Sequence, residues 1–224
     1  VRVVVTGALG DIGSAVVKHL AAQGHDVIQG TREVCDVTSL DSVRSFLGMA
    51  WGAEGFDALV TCHGAPGCIK ASCDLTDEEF GRVLEIDLIG TFRVCREAAR
   101  YMLARRKGAI VNVSSIHALA AYPERAAYAA AKAGVCGLTR ALAVEWALRG
   151  ITVNAVLPGQ VFDTRRTDKV FCSRMIDRSP SGALVYPDDV AAAILMLLTS
   201  KGITGQCLAV DDGWTASGYF KSHT

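Results

Sequence analysis

At 224 residues, half of them apolar, the chain has the length for one α/β domain with a substantial core. Its 23 basic residues balance its 23 acidic ones, so nothing marks a nucleic acid or an anionic membrane as a partner. No apolar run approaches a membrane span, and the chain opens on a strand rather than on a signal segment, so the expectation is a cytoplasmic protein with its eight cysteines reduced.

The first element is a β-branched strand over Val1–Val5, followed by a turn with Gly7, Gly10 and Gly13 and then by a helix near 12–22, whose apolar stripe is Ile12, Val16 and Leu20. Strand, glycine-rich turn and helix together form the context in which glycines signal a dinucleotide, because the turn lets a pyrophosphate reach the backbone and the helix N-terminus offers free N–H groups. Further strands are expected at Asp26–Gly30, briefly near Val34 and Cys35, and at Ala58–Thr61, Ala109–Val113, Thr152–Val156 and Cys207–Val210. Helices are expected near 39–50, 76–105, 128–148 and 188–199, the second opened by a capping box at Thr76 and Glu79. This alternation implies a Rossmann-type, doubly wound parallel sheet of about seven strands with helices on both faces. No linker divides residues 1–224, and the longest irregular stretch, 158–187, follows a strand and is the candidate substrate loop.

The chemistry sits at Tyr128 and Lys132, four residues apart and therefore on one helix face. A nearby ammonium favours phenolate over phenol, lowering a tyrosine pKa from its usual value of about 10 toward neutrality. Such a tyrosine can pass a proton to a carbonyl oxygen or take one from a hydroxyl. Ser115, at a predicted strand end, offers a hydroxyl where charge develops on that oxygen, with Ser114 as its rival. Cys62, His63, Cys68 and Cys73 cluster without the spacing of a metal site, and no metal is expected.

Taken in order, Thr6-Gly7, Ser115, Tyr128 with Lys132, Asn154 through Gly159, and Thr204-Gly205-Gln206 resemble the short-chain dehydrogenase/reductase family over essentially the whole chain. The resemblance implies an NAD(P)-dependent oxidoreductase that interconverts a secondary alcohol and a ketone, with Ser115, Tyr128 and Lys132 catalytic and Asp87, in place of the set's asparagine, completing a proton relay. It implies cofactor contacts from Gly7, Leu9, Gly10, Ile12, Gly13, Thr31, Arg32, Asp36, Val37, Cys62, His63, Gly64, Tyr128, Lys132, Pro158, Gly159, Val161 and Thr164. Arg32 stands where a guanidinium suits a 2′-phosphate, so NADP(H) is favoured over NAD(H), unless Glu33 neutralises it or itself faces the ribose. His117, Tyr122, Gln160 and Phe162 flank Ser115 and the Pro158-Gly159 turn and are read as lining the substrate pocket. The substrate is a small alcohol or ketone: a 3-oxoacyl thioester, a sugar or polyol, or a simple hydroxy ketone. A homotetramer or homodimer through the long helices is implied.

Four departures stand out against the family pattern. Asp11 occupies a glycine position, with Gly10 one place early. Residues 61–64 replace Asn-Asn-Ala-Gly, which leaves His63 either as a proton shuttle or as part of the wall. Asp163 precedes Thr164 where a threonine is usual. Asp87 replaces an asparagine, and a carboxylate on a buried helix face needs a partner, for which Lys132 is the candidate. The rival readings are a redox-silent nucleotide-binding sensor or scaffold, and a dehydratase or epimerase that uses its cofactor internally.

Overall fold

In the computed structural model, residues 1–162, 173, 175–177 and 179–217 are described. Six parallel strands form one sheet in the order β2-β1-β3-β4-β5-β6. They are β1 (Arg2–Thr6), β2 (Asp26–Gly30), β3 (Ala58–Thr61), β4 (Gly108–Val113), β5 (Ile151–Pro158) and β6 (Cys207–Val210). The helices are α1 (Asp11–Ala22), α2 (Leu40–Trp51), α3 (Asp77–Leu84), α4 (Gly90–Arg105), α5 (Ala126–Trp146) and α6 (Pro187–Thr199).

The central strands read as near-continuous apolar runs because both of their faces are covered. On one face Val4, Leu59, Ile110 and Val153 pack against α2, α4 and α5; on the other Val3, Val5, Val60 and Val111 pack against α1 and α6. Among the described residues, no helix is long and apolar enough to cross a membrane.

Two expectations change. The short strand near Val34 and Cys35 does not form, so the sheet has six strands. There the chain turns, Cys35 N–H donating to Thr31 O at 2.8 Å, and buries Cys35 and Val37 beside α2 and α4. The expected helix over 76–105 is interrupted by a π turn at Glu85–Ile89, between α3 and α4. Such one-turn π segments often occur at functional sites, and this one contains Asp87. The capping box forms as expected, with Thr76 Oγ1 and Glu79 exchanging hydrogen bonds with each other's backbone N–H.

The chain reverses direction across the sheet between β1, which leads to β2 on one side, and β3 on the other. A ligand crevice is expected outside the carboxyl ends of the strands at such a point. Thr6 pairs with Gly30 on one side and with Thr61 on the other, so the glycine turn and the segment after β3 emerge side by side. At the far edge, Asn154 Nδ2 donates to Ile203 O and its Oδ1 accepts from Gln206 N–H, which locks the Thr204-Gly205-Gln206 segment to β5.

Candidate active site

The glycine turn is built by steric demand at two positions. Gly7 has φ 67°, and a Cβ on it would meet His63 N at 2.5 Å. A Cβ on Gly13 would lie 2.1 Å from Gly7 O. Gly10, by contrast, has φ −72° as the N-cap of α1 and would bring a Cβ only to 3.4 Å of Gly7 O. The early position of that glycine therefore leaves the turn intact. Among the described residues no side chain caps α1, and its N-terminus faces a cavity lined by Gly10, Asp11, Ile12 and Gly13. Leu9 is 70 % exposed and lies outside that lining.

The cavity, about 790 Å³, runs from this turn to the residues expected to carry the chemistry. Cys62, His63, Gly64, Ser115, His117, Tyr122, Tyr128, Lys132, Pro158, Gly159, Gln160, Val161 and Phe162 all line it. Its extent and its glycine-walled end fit a dinucleotide.

The two serines are separated by their hydrogen bonds. Ser114 Oγ donates to Lys132 O at 2.8 Å and also lies 3.3 Å from Cys136 Sγ, so its proton is used within the fold. Ser115 Oγ accepts from His117 N–H at 3.2 Å, which leaves its own proton for a ligand. Lys132 is buried, and its Nζ lies 3.2 Å from Asp87 Oδ2 and 3.3 Å from Val113 O. The Asp87 side chain is fully buried. Its Oδ1 accepts from Ala65 N–H at 2.6 Å, and its Oδ2 has the Lys132 charge as partner rather than a well-directed hydrogen bond. Burial alone would lower the Lys132 pKa, but the Tyr128 and Asp87 charges outweigh it and hold the ammonium above its ordinary value. Gly64 makes room for the pair, since a Cβ there would sit 3.3 Å from Lys132 Nζ and 3.4 Å from Asp87 Oδ2.

His63 has both ring nitrogens engaged. Nδ1 lies 2.7 Å from Thr6 Oγ1 and Nε2 lies 3.2 Å from Thr91 Oγ1. The Thr91 hydroxyl proton goes to Asp87 O at 2.7 Å, so toward the ring it can only accept. That assigns the ring proton to Nε2 and makes Nδ1 the acceptor from Thr6. Burial pushes the His63 pKa down to about 3. A neutral, doubly bonded imidazole is part of the wall, and the alternative of a proton shuttle loses its support.

The expected ribose contacts lie just outside the cavity lining. Gly30 O accepts from Gly7 N–H at 2.8 Å, so Thr31 and Arg32 follow directly beside the glycine turn. Arg32 is exposed and makes no salt bridge among the described residues. The Glu33 carboxylate is held below its usual range chiefly by the Thr31 hydroxyl, with the Arg32 charge the smallest contribution. One oxygen of Asp36 accepts from the Thr38 N–H and hydroxyl. Val37 has its side chain in the core, so it can offer a ligand only backbone.

On the substrate side, Gln160 Nε2 lies 3.2 Å from Tyr122 OH, and His117 stands edge-on to both Tyr122 and Tyr128. Val161 bridges Val185, whose N–H and C=O pair with Gln160 O and Phe162 N–H; the groups of Val161 itself point away from Val185. Gly159 passes close to β6, where a Cβ would sit 2.7 Å from Asp211 Cα. Thr164 and its rival Asp163 lie outside the described residues, as does much of the expected substrate loop. Several lining residues escaped the sequence reading, among them Ile69, Glu124, Met175 and the cation Arg125. The position of Arg125 three residues before Tyr128, on the same helix face, was the available signal.

Comparison with known proteins gives this site its class. The family described as enoyl-(acyl carrier protein) reductase matches residues 1–215. The 3-oxoacyl-(acyl-carrier-protein) reductase of Rickettsia conorii is 34% identical, covering 93% of this chain and 94% of its own. The cis-4-hydroxycyclohexanecarboxylate dehydrogenase of Sinomonas cyclohexanicum is 37% identical, covering 95% and 96%. A short-chain type dehydrogenase/reductase of Sinorhizobium fredii is 36% identical over 95% of this chain, which spans only 43% of that longer relative. Among solved structures, an actinorhodin polyketide ketoreductase variant with NADPH superimposes with a TM-score of 0.88 at 29% identity, covering 96% and 97%. The chain belongs to the short-chain dehydrogenase/reductase family. It stands among oxidoreductases that act on CH–OH or keto groups with a nicotinamide nucleotide.

Proposed function

We propose that residues 1–224 form a single NAD(P)-binding domain that interconverts a secondary alcohol and a ketone, with Tyr128 as general acid and base. The observation that carries this reading is one cavity walled by the glycine turn at one end and by Ser115, Tyr128 and Lys132 at the other. A nicotinamide bound there supplies or accepts the hydride. In reduction, the Tyr128 hydroxyl passes its proton to the carbonyl oxygen while the free Ser115 hydroxyl donates a hydrogen bond to the same atom. Lys132, charged and paired with Asp87, holds positive potential beside Tyr128 and favours its phenolate once the proton has left. Asp87 orients Lys132 and sets its charge; it is a positioning residue. Gly7, Gly10, Gly13, Gly64, Pro158, Gly159 and the backbone of Val161 supply the cofactor walls.

NADP(H) is the favoured cofactor, because Arg32 carries an exposed guanidinium directly after β2 with no carboxylate in a salt bridge to it among the described residues. The reading includes a cytoplasmic protein and a homodimer or homotetramer through the long helices, for which the exposed Val144 and Leu148 at the end of α5 speak. Its relatives are named for chemically different substrates: one for a 3-oxoacyl-(acyl-carrier-protein) and another for a hydroxycyclohexanecarboxylate.

Parallel titration of the protein with NADPH and NADH, followed by nicotinamide fluorescence, tests the reading. Tight NADPH with weak NADH is expected. Preference for NADH would remove the Arg32 assignment and keep the enzyme. Binding of neither would return the redox-silent reading.

A further inference from the structure

The substrate half of the cavity holds a cation that the proton-transfer steps leave unused. Arg125 is the N-cap residue of α5 and lines the cavity three residues before Tyr128. It is anchored from two sides. Its Nη1 donates to Pro66 O at 2.8 Å, in the segment after β3. The preceding residue, Glu124, has a left-handed backbone with φ 64°, and its carbonyl accepts from Lys70 N–H at 3.2 Å. A non-glycine residue persists in that conformation only where its surroundings enforce it.

The charges around Arg125 leave it uncompensated. The other lining cation, Lys132, has Asp87 at 3.2 Å. Glu124 and Asp11 also line the cavity, yet among the described residues no salt bridge joins Arg125 to a carboxylate. Its charge is felt at His117, whose pKa is lowered first by burial and then by Arg125. Geometry keeps that ring neutral as well. His117 is packed edge-on between Tyr122 and Tyr128, with centroids 4.8 and 5.4 Å away, and its Nδ1 is buried without a partner. A protonated ring would bury an unpaired N–H. Among the described residues the guanidinium makes no hydrogen bond besides that to Pro66 O, so most of its five donors are open to a planar, two-oxygen partner.

We propose that Arg125 binds a carboxylate on the substrate, so that the site takes hydroxy and keto acids whose carboxylate lies away from the reacting carbon. This assignment rests on the oxidoreductase reading of Ser115, Tyr128 and Lys132. It makes Arg125 a specificity-determining residue, acting on binding more than on proton transfer.

The test compares 4-oxocyclohexanecarboxylate with its methyl ester, which share the ring and the ketone. Steady-state kinetics with saturating NADPH are paired with calorimetric titration of each compound into the protein–NADP⁺ complex. Wild type is expected to favour the acid about ten- to a hundredfold, seen in KM and in the dissociation constant, as a charge-assisted hydrogen-bonded pair gives. Arg125→Gln keeps a donor for Pro66 O and is expected to abolish the preference, while Arg125→Lys retains part of it. Equal binding of acid and ester by wild type, or a preference that survives Arg125→Gln, would overturn the assignment and leave the oxidoreductase reading standing. Failure of both nicotinamide nucleotides to bind would instead remove that reading, and the assignment with it.

Discussion

Replacing Asp87 by Asn keeps the shape of the side chain and an acceptor for Ala65 N–H, which lies 2.6 Å from the carboxylate. It removes the only counter-charge within 4 Å of Lys132 Nζ among the described residues and turns an amide N–H toward the ammonium. Both side chains are buried, Asp87 completely. Breaking a buried pair from one side costs about 3–5 kcal/mol, because the remaining charge stays desolvated. That is a large share of a domain stability of about 5–15 kcal/mol. Urea unfolding followed by fluorescence of Trp51, Trp146 and Trp214 measures it. The double variant Asp87→Asn with Lys132→Met, which removes both charges, should be more stable than the sum of the single losses by about 2 kcal/mol or more. The Lys132 pKa is raised in the folded state, so its contribution is fully present below its unfolded value and is lost as pH climbs through the folded one. Lys132 should therefore add no pH dependence to wild-type stability from neutral pH to about 9, where it is charged in both states, whereas the lowered Lys132 pKa of Asp87→Asn enters that window from above. In catalysis, loss of the Asp87 charge lowers the Lys132 pKa and moves the alkaline limb of the pH–rate profile to lower pH. A loss of less than about 1 kcal/mol with additive variants, or an unchanged pH–rate profile, would refute the paired-charge argument.

Other outcomes follow from the same geometry. Ser115→Ala should lower kcat about 10²- to 10³-fold with little change in stability, since its proton is available to a ligand. Ser114→Ala should instead cost about 1 kcal/mol of stability, because its hydroxyl donates to Lys132 O at 2.8 Å. Gly13→Ala places a Cβ 2.1 Å from Gly7 O and should cost about 1–3 kcal/mol together with nucleotide affinity, whereas Gly10→Ala should stay within about 0.5 kcal/mol by thermal unfolding. His63 has its pKa lowered from 6.5 to about 3, so below pH 6.5 the unfolded chain takes up a proton that the folded chain refuses. Stability should fall through that window by up to about 1.4 kcal/mol per pH unit, and His63→Gln should flatten the slope. An equal slope in both proteins would show that His63 is not held neutral.

Much of this site is readable from spacing alone. A four-residue step on a helix puts Tyr128 and Lys132 on one face, and the apolar face around Asp87 in the expected helix implies a buried carboxylate that needs a cation. What spacing cannot supply is the direction of individual bonds. Ser114 and Ser115 are chemically identical; the resemblance favours Ser115 by its spacing to Tyr128, and the hydrogen bonds give the physical reason, with the carbonyl of Lys132 taking the Ser114 proton. The neutrality of His63 depends on where the Thr91 proton goes, which is set by the backbone of the π turn. That turn leaves no residue-type mark. The strand expected near Val34 and Cys35 fails because those residues turn away from the sheet edge and Cys35 enters the core instead. Arg125 shares a face with Tyr128 in sequence, but its place in the cavity also depends on the left-handed Glu124 and on Pro66 across the crevice.

The central claim is hydride transfer with Tyr128 handling the proton. Its most direct test uses NADPH deuterated at nicotinamide C4 and 4-oxocyclohexanecarboxylate, with product analysed by mass spectrometry for wild type and Tyr128→Phe. Deuterium on the carbinol carbon of the wild-type product is expected, with formation slowed at least about 10²-fold in Tyr128→Phe while NADPH still binds. A Tyr128→Phe variant that forms the labelled alcohol at the wild-type rate would contradict the role of Tyr128. A wild-type protein that binds NADPH and delivers no label to any of a panel of ketones would contradict the reaction itself.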